Sequence, residues 1–206
     1  MKKYFITAIS TDSGKTLISA IVTNALQADY WKPIQAGVEQ TDSDTMRQLL
    51  HSDYSMIHPE AYLLKMPASP HAAAKDEGVV IDLNTIQLPD THGNDLVIEG
   101  AGGILVPLND TDVVADLITH LDAEVILVSN HYLGSINHTL LTAEELKRRN
   151  IKVKGIIFNG PDNKETESII LKKTGYTELL HVYPEKKITS EILKAYSVKL
   201  FDHWYE

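Results

Sequence analysis

Cysteine is absent from the 206-residue chain, and basic residues are outnumbered by acidic ones. Without cysteine the chain has no disulfide, no thiolate metal site and no cysteine nucleophile. The 28 acidic and 19 basic residues give a formal net charge of -9. This balance argues against non-specific nucleic-acid binding, which requires a basic surface. It is compatible with a nucleotide pocket, because a few local lysines are enough to hold phosphates.

Long hydrophobic runs are also lacking. No apolar stretch approaches the roughly 18 residues that would suggest a membrane span. The apolar run at residues 4–9 leads directly into the polar stretch TDSGKT, so it is not typical of a signal peptide. We expect a cytoplasmic protein with no membrane association. Repeats, low-complexity tracts and linkers are absent too, which predicts a single domain over residues 1–206.

Short apolar runs alternate with amphipathic helical patterns along the chain. The sequence predicts strands over residues 4–9, 30–34, 96–98, 125–128, 153–158 and 179–183. It predicts helices over residues 15–28, 43–50, 135–149, 165–173 and 188–196. Near-continuous apolar strands separated by helices are typical of an α/β fold with a mostly parallel sheet and helices on both faces. The stretch MPASPHAAA, residues 66–74, is predicted to be a loop within this domain.

The first predicted strand is followed by STDSGKT, which ends in Gly14, Lys15 and Thr16. The G-x-x-x-x-G-K-S/T phosphate loop has this ending, although Ile9 stands where its spacing requires the first glycine. A strand, loop and helix in this order would direct backbone N–H groups and a helix N-terminus at phosphate oxygens. Lys15 is then predicted to reach the terminal phosphates of ATP, and Thr16 to coordinate Mg²⁺. A helix that begins with Gly-Lys-Thr by chance is the alternative. We favour a variant phosphate loop in a P-loop NTPase-like domain.

Charged residues near the ends of other elements extend this predicted site. Lys32 precedes Pro33 after the second strand, where it would face anions, unless it is an ordinary surface lysine. Asp44 is a candidate Mg²⁺ ligand or else a first-turn acid of its helix, and Asp42 competes for either role. Glu99 ends the run LVIE before Gly-Ala-Gly-Gly, which is typical of an acid that binds Mg²⁺ beside a phosphate loop.

Three further features are less specific. The helix start LGSINH, residues 133–138, offers free N–H groups to a substrate carboxylate, or is an ordinary start capped by Ser135. Asn159 ends a strand at the carboxyl edge of the sheet, where it could contact a base. The nine histidines have no metal-ligand spacing along the chain, so we expect them to be surface or core residues.

Taken together, these motifs closely resemble one family, the dethiobiotin synthetases. The matching stretches are STDSGKT, WKPIQAG, SDT, ASPHAAA, VIEGAGGILVPLND and LGSINHTLLT, which span most of the chain. The phosphate loop of that family carries an extra residue, and its usual first glycine falls at Ala8 here. The combination of KP, EGAGG with PL, and LGxINH is specific, whereas GKT alone is not.

The resemblance implies an ATP- and Mg²⁺-dependent cyclo-ligase of biotin biosynthesis. Its substrates would be 7,8-diaminononanoate and CO₂, which form a carbamate. ATP would phosphorylate the carbamate, and the second amine would then close the ureido ring of dethiobiotin, releasing ADP and phosphate. The resemblance assigns catalysis to Lys15, Lys32 and Thr11. It also implies a homodimer with active sites near the subunit interface.

The resemblance also implies the remaining contacts. The metal ligands would be Thr16, Asp44 and Glu99. The nucleotide would contact Asp12, Ser13, Gly14, Lys15, Thr16, Leu17, Asp44, Glu99, Gly100, Ala101, Gly102 and Asn159, the last of these at adenine. The substrate would contact Thr11, Lys32, Ala36, Ser135, Ile136 and Asn137, with the α-helix that starts at Ser135 acting across the dimer. Ala36 stands where the family often has serine, so one hydroxyl contact is lost.

Two other functions are open to this fold. A partitioning-type switch ATPase also has a variant phosphate loop, but it carries an additional lysine near the start of that loop. This chain has Ala8, Ile9, Ser10 and Thr11 there. A non-catalytic nucleotide-binding regulator would be expected to have lost at least one lysine or acid of the site. The sequence therefore favours the synthetase.

Overall fold

The structure is a computed structural model that describes residues 1–50 and 54–204. Its strands are β1 (Lys3–Ala8), β2 (Asp29–Trp31), β3 (Ile34–Ala36), β4 (Ile57–His58), β5 (Tyr62–Leu64), β6 (Leu96–Gly103), β7 (Glu124–Asn130), β8 (Val153–Asn159) and β9 (Glu178–Val182). Its α-helices are α1 (Lys15–Leu26), α2 (Asp42–Leu49), α3 (Pro70–Asp76), α4 (Val114–Leu121), α5 (Ser135–Arg148), α6 (Lys164–Thr174) and α7 (Ser190–His203), and Leu83–Thr85 forms a 3₁₀ turn.

Seven of the strands form one sheet in the order β4-β2-β6-β1-β7-β8-β9, and all of its neighbouring strands are parallel. β3 and β5 form a separate parallel pair. The predicted α/β class is confirmed. In the main sheet β1 lies between β6 and β7. The strands that follow β1 in the chain, β2, β4 and β6, lie on one side of it, and the later strands β7, β8 and β9 lie on the other. Such a reversal opens a crevice at the carboxyl ends of the strands, where ligands of α/β proteins bind.

Apolar side chains cover both faces of this sheet. Along β1, Phe5 packs into one core with Trp31, whereas Tyr4 and Ile6 pack into the other with Ile18 of α1. This alternation is the period-2 geometry of a strand. Each large side chain that is fully buried contributes roughly 1.5–3 kcal/mol relative to exposure. The central strand is therefore held on both faces, and the loop after Ala8 starts from a fixed point.

The bounds of all six predicted strands shift in the structure, and two of these changes affect the site. The strand predicted over residues 30–34 is split at Lys32 and Pro33 into β2 and β3, which belong to different sheets. Proline has no N–H group for a ladder, so the break falls there. The strand predicted to end at Glu99 continues to Gly103, because its glycines still pair with β1, as in Ala8 opposite Gly103. Glu99 therefore lies inside a strand, and the pairing with β1 fixes the position of its backbone.

Several short elements were not predicted. Residues 66–74 were expected to be a loop, but α3 begins at Pro70 within them. Proline fits the first helical turn because no N–H donor is needed there, and the three alanines that follow favour helix. β4 and β5 were also missed, since two or three residues are too few to show a period, and so was α4. Among the described residues, none of the helices has the length and hydropathy needed to cross a bilayer.

Candidate active site

The phosphate loop joins β1 to α1 and turns without a glycine at its start. Its left-handed residues come late, at Asp12 with φ of 56° and at Gly14 with φ of 87°. Aspartate tolerates this conformation better than most residues, because its short polar side chain can hydrogen-bond locally. The Ser13 hydroxyl donates to the Ser10 carbonyl at 3.0 Å and so ties the loop together. Ala8 and Ile9 do not have a positive φ, so neither position needs a glycine.

Asn159 at the end of β8 holds the same loop through a hydrogen bond. Its Nδ2 atom donates to the Ser13 carbonyl at 2.9 Å. A Cβ atom built on Gly14 would collide with that amide nitrogen, so the loop has room only for glycine there. The adenine contact predicted for Asn159 stays a prediction. The structure shows that one proton of its amide is already used to position the phosphate loop.

Four charged or hydroxyl side chains converge beside the start of α1. Thr16 Oγ1 lies 2.9 Å from Asp42 Oδ1 and 3.0 Å from Glu99 Oε1. Lys32 Nζ lies 2.5 Å from Asp42 Oδ2 and 3.2 Å from Glu99 Oε1. The same ammonium donates to the Gly100 carbonyl at 3.1 Å. Lys32 is buried, so the alternative of a surface lysine is wrong.

Asp42, and not Asp44, is the acid of α2 that belongs to this cluster. The Asp44 side chain accepts from the Thr41 N–H at 3.3 Å and pairs with Arg47 at 2.8 Å, closing a capping box with Thr41 at the start of the helix. Side chains two positions apart in a helix point in directions that differ by about 200° around its axis, so Asp42 and Asp44 cannot both face the cleft. Without a metal, Asp44 is thus the first-turn acid of the helix, and the contacts favour Asp42 as the candidate metal ligand. The metal contact predicted for Asp44 stays a prediction.

The charges of the cluster shift one another's pKa values. Burial alone would lower the Lys32 pKa, but Glu99 and Asp42 outweigh it and raise that pKa above its usual 10.5. Burial would raise the Asp42 pKa, and Lys32 outweighs it, so the pKa lies below its usual 3.8. For Lys15, burial and then the charge of Lys32 lower the pKa from 10.5. Lys32 is therefore a fixed cation, whereas the Lys15 cation would be stabilised by an added anion.

Tyr30 adds a neutral support to this cluster. Its hydroxyl donates to Glu99 Oε2 at 3.0 Å, while Lys32 occupies the other oxygen. Burial and the charge of Glu99 raise the Tyr30 pKa well above its usual 10.0, so the hydroxyl keeps its proton. Glu99 is thus held from both oxygens in a single orientation. The sequence did not single out Tyr30, because a tyrosine in an apolar strand is ordinarily a core residue.

An open cleft of about 860 Å³ brings most of the predicted residues together. The predicted residues that line it are Thr11, Asp12, Gly14, Lys15, Thr16, Lys32, Ala36, Glu99, Ala101 and Gly102. Ser13 is buried behind this lining, and Leu17 packs against the apolar core. Gly100 lies so close to the Phe5 ring that a Cβ atom would clash with it. Ser13, Leu17 and Gly100 are therefore not part of the cleft lining, but they lie next to residues that are.

Part of the cleft lining comes from the loop before α3 and from the first residue of that helix. These residues, 67–70, line the cleft together with Gln35. The sequence could not assign a role to this Ser-Pro-His segment. Its position shows one, since Ser69 and Pro70 of this segment belong to the cleft lining.

The helix start at α5 lies outside this cleft. Ser135, Ile136 and Asn137 are not part of its lining. Ser135 is buried and makes no side-chain cap, because the N-cap residue is Gly134 with φ of 107°. Ile136 and Asn137 are exposed. The substrate contact predicted for these residues stays a prediction.

The fold and the cleft define a class of protein. A phosphate loop follows the central strand of a parallel sheet, and an acid on the neighbouring strand meets the hydroxyl of the loop's threonine. This is the arrangement of P-loop nucleoside-triphosphate enzymes, in which such residues hold Mg²⁺ and phosphates.

Comparison with known proteins identifies the family. Residues 2–191 match a family described as an AAA domain. The ATP-dependent dethiobiotin synthetase BioD of Cytophaga hutchinsonii is 78% identical over 206 residues, which is 100% of both chains. The protein of the same name from Christiangramia forsetii is 50% identical over 96% of this chain and 95% of its own. The chain belongs to the ATP-dependent dethiobiotin synthetase family.

Solved structures of other proteins share the fold. A ParA family ATPase from Chlorobium tepidum superimposes with a TM-score of 0.59 at 13% identity, over 98% of this chain and 96% of its own. The MinC:MinD cell division complex of Aquifex aeolicus gives a TM-score of 0.60 at 12% identity, over 100% of this chain and 95% of that chain. Identity this low shows the fold alone. The switch-ATPase alternative therefore has no support beyond the architecture it shares.

Proposed function

We propose that the chain uses ATP to close 7,8-diaminononanoate and CO₂ into dethiobiotin, a step of biotin biosynthesis. The observation that carries this proposal is the meeting of Lys15, Thr16, Lys32 and Glu99 in one cleft, in a chain that is 78% identical to a dethiobiotin synthetase. A decayed regulator would be expected to have lost part of this set.

The proposed reaction has three steps. One amine of the substrate attacks CO₂ and loses a proton, which gives a carbamate. A carbamate oxygen attacks the γ-phosphorus of ATP, and ADP leaves. The second amine attacks the carbonyl carbon of the resulting carbamic-phosphoric anhydride, phosphate leaves, and the ureido ring closes. Each step places negative charge on oxygen atoms, so positioning and charge neutralisation supply the catalysis.

The two lysines supply this neutralisation in different ways. Lys15 extends from the phosphate loop, where burial and the charge of Lys32 destabilise its cation and lower its pKa, so a bound anion would stabilise the charged form. Lys32 stays charged because Asp42 and Glu99 hold it, and it lies on the same cleft. We assign Lys15 to the phosphates and Lys32 to the carbamate and the transferred phosphoryl group. The hydroxyl of Thr11, which also lines the cleft, would hydrogen-bond to the same oxygens.

The oxygen atoms of the cluster fit Mg²⁺. Thr16 Oγ1, Asp42 Oδ1 and Glu99 Oε1 are hard ligands, and the hydroxyl lies 2.9 Å from the first carboxylate and 3.0 Å from the second. Bound there, Mg²⁺ would neutralise charge on the transferred phosphoryl group. Asp42 takes the role that the sequence had assigned to Asp44.

A homodimer also belongs to the proposal. Leu133, which precedes α5, is 104% exposed, and Leu141, within α5, is 62% exposed. Exposed apolar side chains in one region of a surface are typical of a protein interface. Ser135, Ile136 and Asn137 lie in the same helix but outside the cleft, so they would bind the distant carboxylate of a substrate held by the partner. An enzyme that consumes ATP and CO₂ also suits the cytoplasm.

ADP release tests the activity directly. The assay contains ATP, Mg²⁺ and bicarbonate, with or without 7,8-diaminononanoate, and dethiobiotin is identified by mass spectrometry. We expect diamine-dependent ADP release that falls at least about 100-fold in Lys32→Met. The matched control is Lys75→Met, which removes an exposed lysine of α3. Circular dichroism checks that each variant is folded. ADP release without the diamine, or none at all, would contradict the proposal.

A further inference from the structure

Two histidines and a glutamate meet at the edge of the sheet beyond the phosphate loop. His131 follows β7, His181 lies in β9, and Glu167 lies in α6. One ligand atom from each lies within 4.8 Å of the other two. The chain separates these residues widely, so no metal-ligand spacing is visible in the sequence. The prediction that every histidine is an ordinary surface or core residue does not account for this cluster.

Backbone carbonyls determine which nitrogen of each imidazole carries a proton. His131 Nδ1 lies 2.7 Å from the Pro161 carbonyl, and His181 Nε2 lies 2.9 Å from the Gly160 carbonyl. A carbonyl oxygen only accepts hydrogen bonds, so both of these nitrogens must donate. The opposite nitrogen of each neutral ring then carries a lone pair. Histidines that bind metals are oriented by the same kind of carbonyl contact.

Both of these nitrogens lie close to one carboxylate oxygen. His131 Nε2 lies 3.5 Å and His181 Nδ1 lies 3.3 Å from Glu167 Oε1. The side chains of the three residues are only 4%, 8% and 11% exposed, in the order His131, His181, Glu167. Within the described part of the chain, His131 Nε2 is buried without a hydrogen-bond partner. Three electron-rich atoms facing one another away from water repel unless a cation lies between them.

Two of the three separations match those around a tetrahedral zinc ion, and the two imidazole nitrogens lie within 4.8 Å of each other. Ligand atoms about 2.0–2.1 Å from zinc lie about 3.4 Å apart at the corners of a tetrahedron, close to the 3.3 and 3.5 Å observed here. The rings are also held in place by their neighbours. His181 stacks on Tyr183 with ring centroids 4.2 Å apart, and His131 packs beside Phe158 at 5.6 Å. Little ordering would therefore be lost on binding.

We propose that His131, His181 and Glu167 form a binding site for a divalent transition metal of the zinc type. Two imidazole nitrogens and one carboxylate suit Zn²⁺, whereas Mg²⁺ prefers oxygen ligands only. Three protein ligands leave a fourth position to water. Glu167 Oε1 also accepts from the Asn163 N–H at 3.2 Å, so the loop between β8 and α6 belongs to the same unit.

The site has a structural consequence for the phosphate loop. The loop at residues 160–163 provides both carbonyls and the Asn163 N–H group, and it follows Asn159 directly. Asn159 in turn holds Ser13 of the phosphate loop. A metal ion bound to β9, α6 and the end of β7 would fix this connection. We therefore expect the metal to stabilise the fold at the edge where the phosphate loop is supported.

Zinc binding is measured first on the unaltered protein. After incubation with micromolar Zn²⁺ in a buffer that contains excess Mg²⁺, desalted protein should retain about one zinc ion per chain by elemental analysis. The Mg²⁺ occupies carboxylate sites that have no imidazole ligand. Co²⁺ in place of Zn²⁺ should give the intense visible absorption of tetrahedral coordination, and added Zn²⁺ should abolish it. Zinc should also raise the melting temperature.

Variants then assign the ligands. His131→Gln, His181→Gln and Glu167→Gln should each weaken zinc binding at least about tenfold and remove the thermal shift. The control is His92→Gln, because His92 is 77% exposed and pairs only with the exposed Asp90 among the described contacts. Substoichiometric zinc without the Co²⁺ absorption in the unaltered protein would overturn the proposal, whether or not a variant folds. Equal binding by all four variants would overturn it as well.

Discussion

At the scale of single residues, the active-site cleft depends on a buried lysine that two carboxylates neutralise. Lys32 is 4% exposed and Glu99 is 1% exposed. Removing one partner of a buried pair typically costs about 3–5 kcal/mol, because the other charge stays buried without compensation. Lys32 therefore has a structural role as well as the proposed catalytic one. This is why loss of activity in a Lys32 variant is informative only when folding is measured beside it.

The two acids at the start of α2 allow a paired test of the metal site. Asp42→Asn should lower kcat about 100-fold, because it removes a carboxylate that contacts Thr16 and Lys32. Asp44→Asn should leave kcat within about twofold, since Asp44 lies on the exposed side of the helix. Steady-state ADP release at varied Mg²⁺ measures both. If Asp44→Asn were inactive and Asp42→Asn active, Asp44 would be the Mg²⁺ ligand, as the sequence predicted.

Lys15 predicts how ATP affinity changes with pH. Burial and Lys32 lower its pKa in the free protein, whereas bound phosphates would favour the charged form and raise it. Between these two pKa values, binding takes up a proton, so ATP affinity should fall as pH rises toward 10.5. Calorimetry from about pH 7 to about pH 10 in buffers of different ionisation enthalpy measures the affinity and the proton uptake.

The control for this experiment is Lys15→Arg. A guanidinium keeps its charge over this range, so the variant should bind ATP more weakly but with a flatter pH dependence. A pH dependence as steep as that of the unaltered protein would show that another group causes it.

At the scale of elements, the sequence predicts what is periodic and misses what is short. The long helices and the apolar strands of the main sheet follow from residue patterns, and so does the phosphate loop. Bounds within one or two residues do not follow. The prediction placed the start of the second helix at residue 43, whereas α2 begins at Asp42. Which of its two acids faces the cleft depends on how α2 packs on the rest of the fold, and that does not follow from its own residues.

The junction between β1 and α1 gives the prediction at this scale. Gly14→Ala should cost more than the roughly 1–2 kcal/mol of a left-handed alanine, because the added Cβ atom also meets Asn159. Gly78→Ala is the matched control, since φ there is +68° but the Cβ atom has open space. Urea unfolding measures both stabilities, and calorimetry measures ATP binding. Gly14→Ala should weaken ATP binding at least about tenfold, and Gly78→Ala should leave it unchanged.

A second substitution separates the two causes. In Gly14→Ala with Asn159→Ala, the collision is removed and the backbone strain is kept, so part of the lost stability should return. Equal destabilisation by Gly14→Ala and Gly78→Ala would show that the collision does not matter.

At the scale of the whole molecule, the sites consist of residues that only the sheet order brings together. Asn159 reaches Ser13 across 146 residues of sequence, and Thr16 reaches Glu99 across 83. The motifs predicted that Lys15, Thr16 and Glu99 belong to one site, because a known arrangement connects them. No comparable pattern connects His131, Glu167 and His181. Their meeting depends on the parallel order β7-β8-β9, which a single sequence does not reveal.

The exposed apolar surface at α5 predicts the assembly. Leu133→Asp should weaken the proposed dimer by at least about 2 kcal/mol, or about 30-fold in Kd, because a buried leucine at an interface is replaced by a charge. Light scattering during gel filtration should show a dimer for the unaltered protein and a monomer for the variant at micromolar concentration. Val80→Asp is the control, since Val80 is 75% exposed and lies outside α5.

Activity decides whether the partner contributes to the site. If Asn137 of one subunit binds the substrate held by the other, the monomeric Leu133→Asp variant should bind ATP normally but show a raised KM for the diamine. Asn137→Ala should raise the same KM while the protein remains dimeric. The two variants therefore distinguish loss of the dimer from loss of the substrate contact. Only Leu133→Asp should lower the measured molecular mass, whereas both variants should raise the KM for the diamine. A monomeric unaltered protein, or a Leu133→Asp monomer with an unchanged KM, would show that each chain completes its own site.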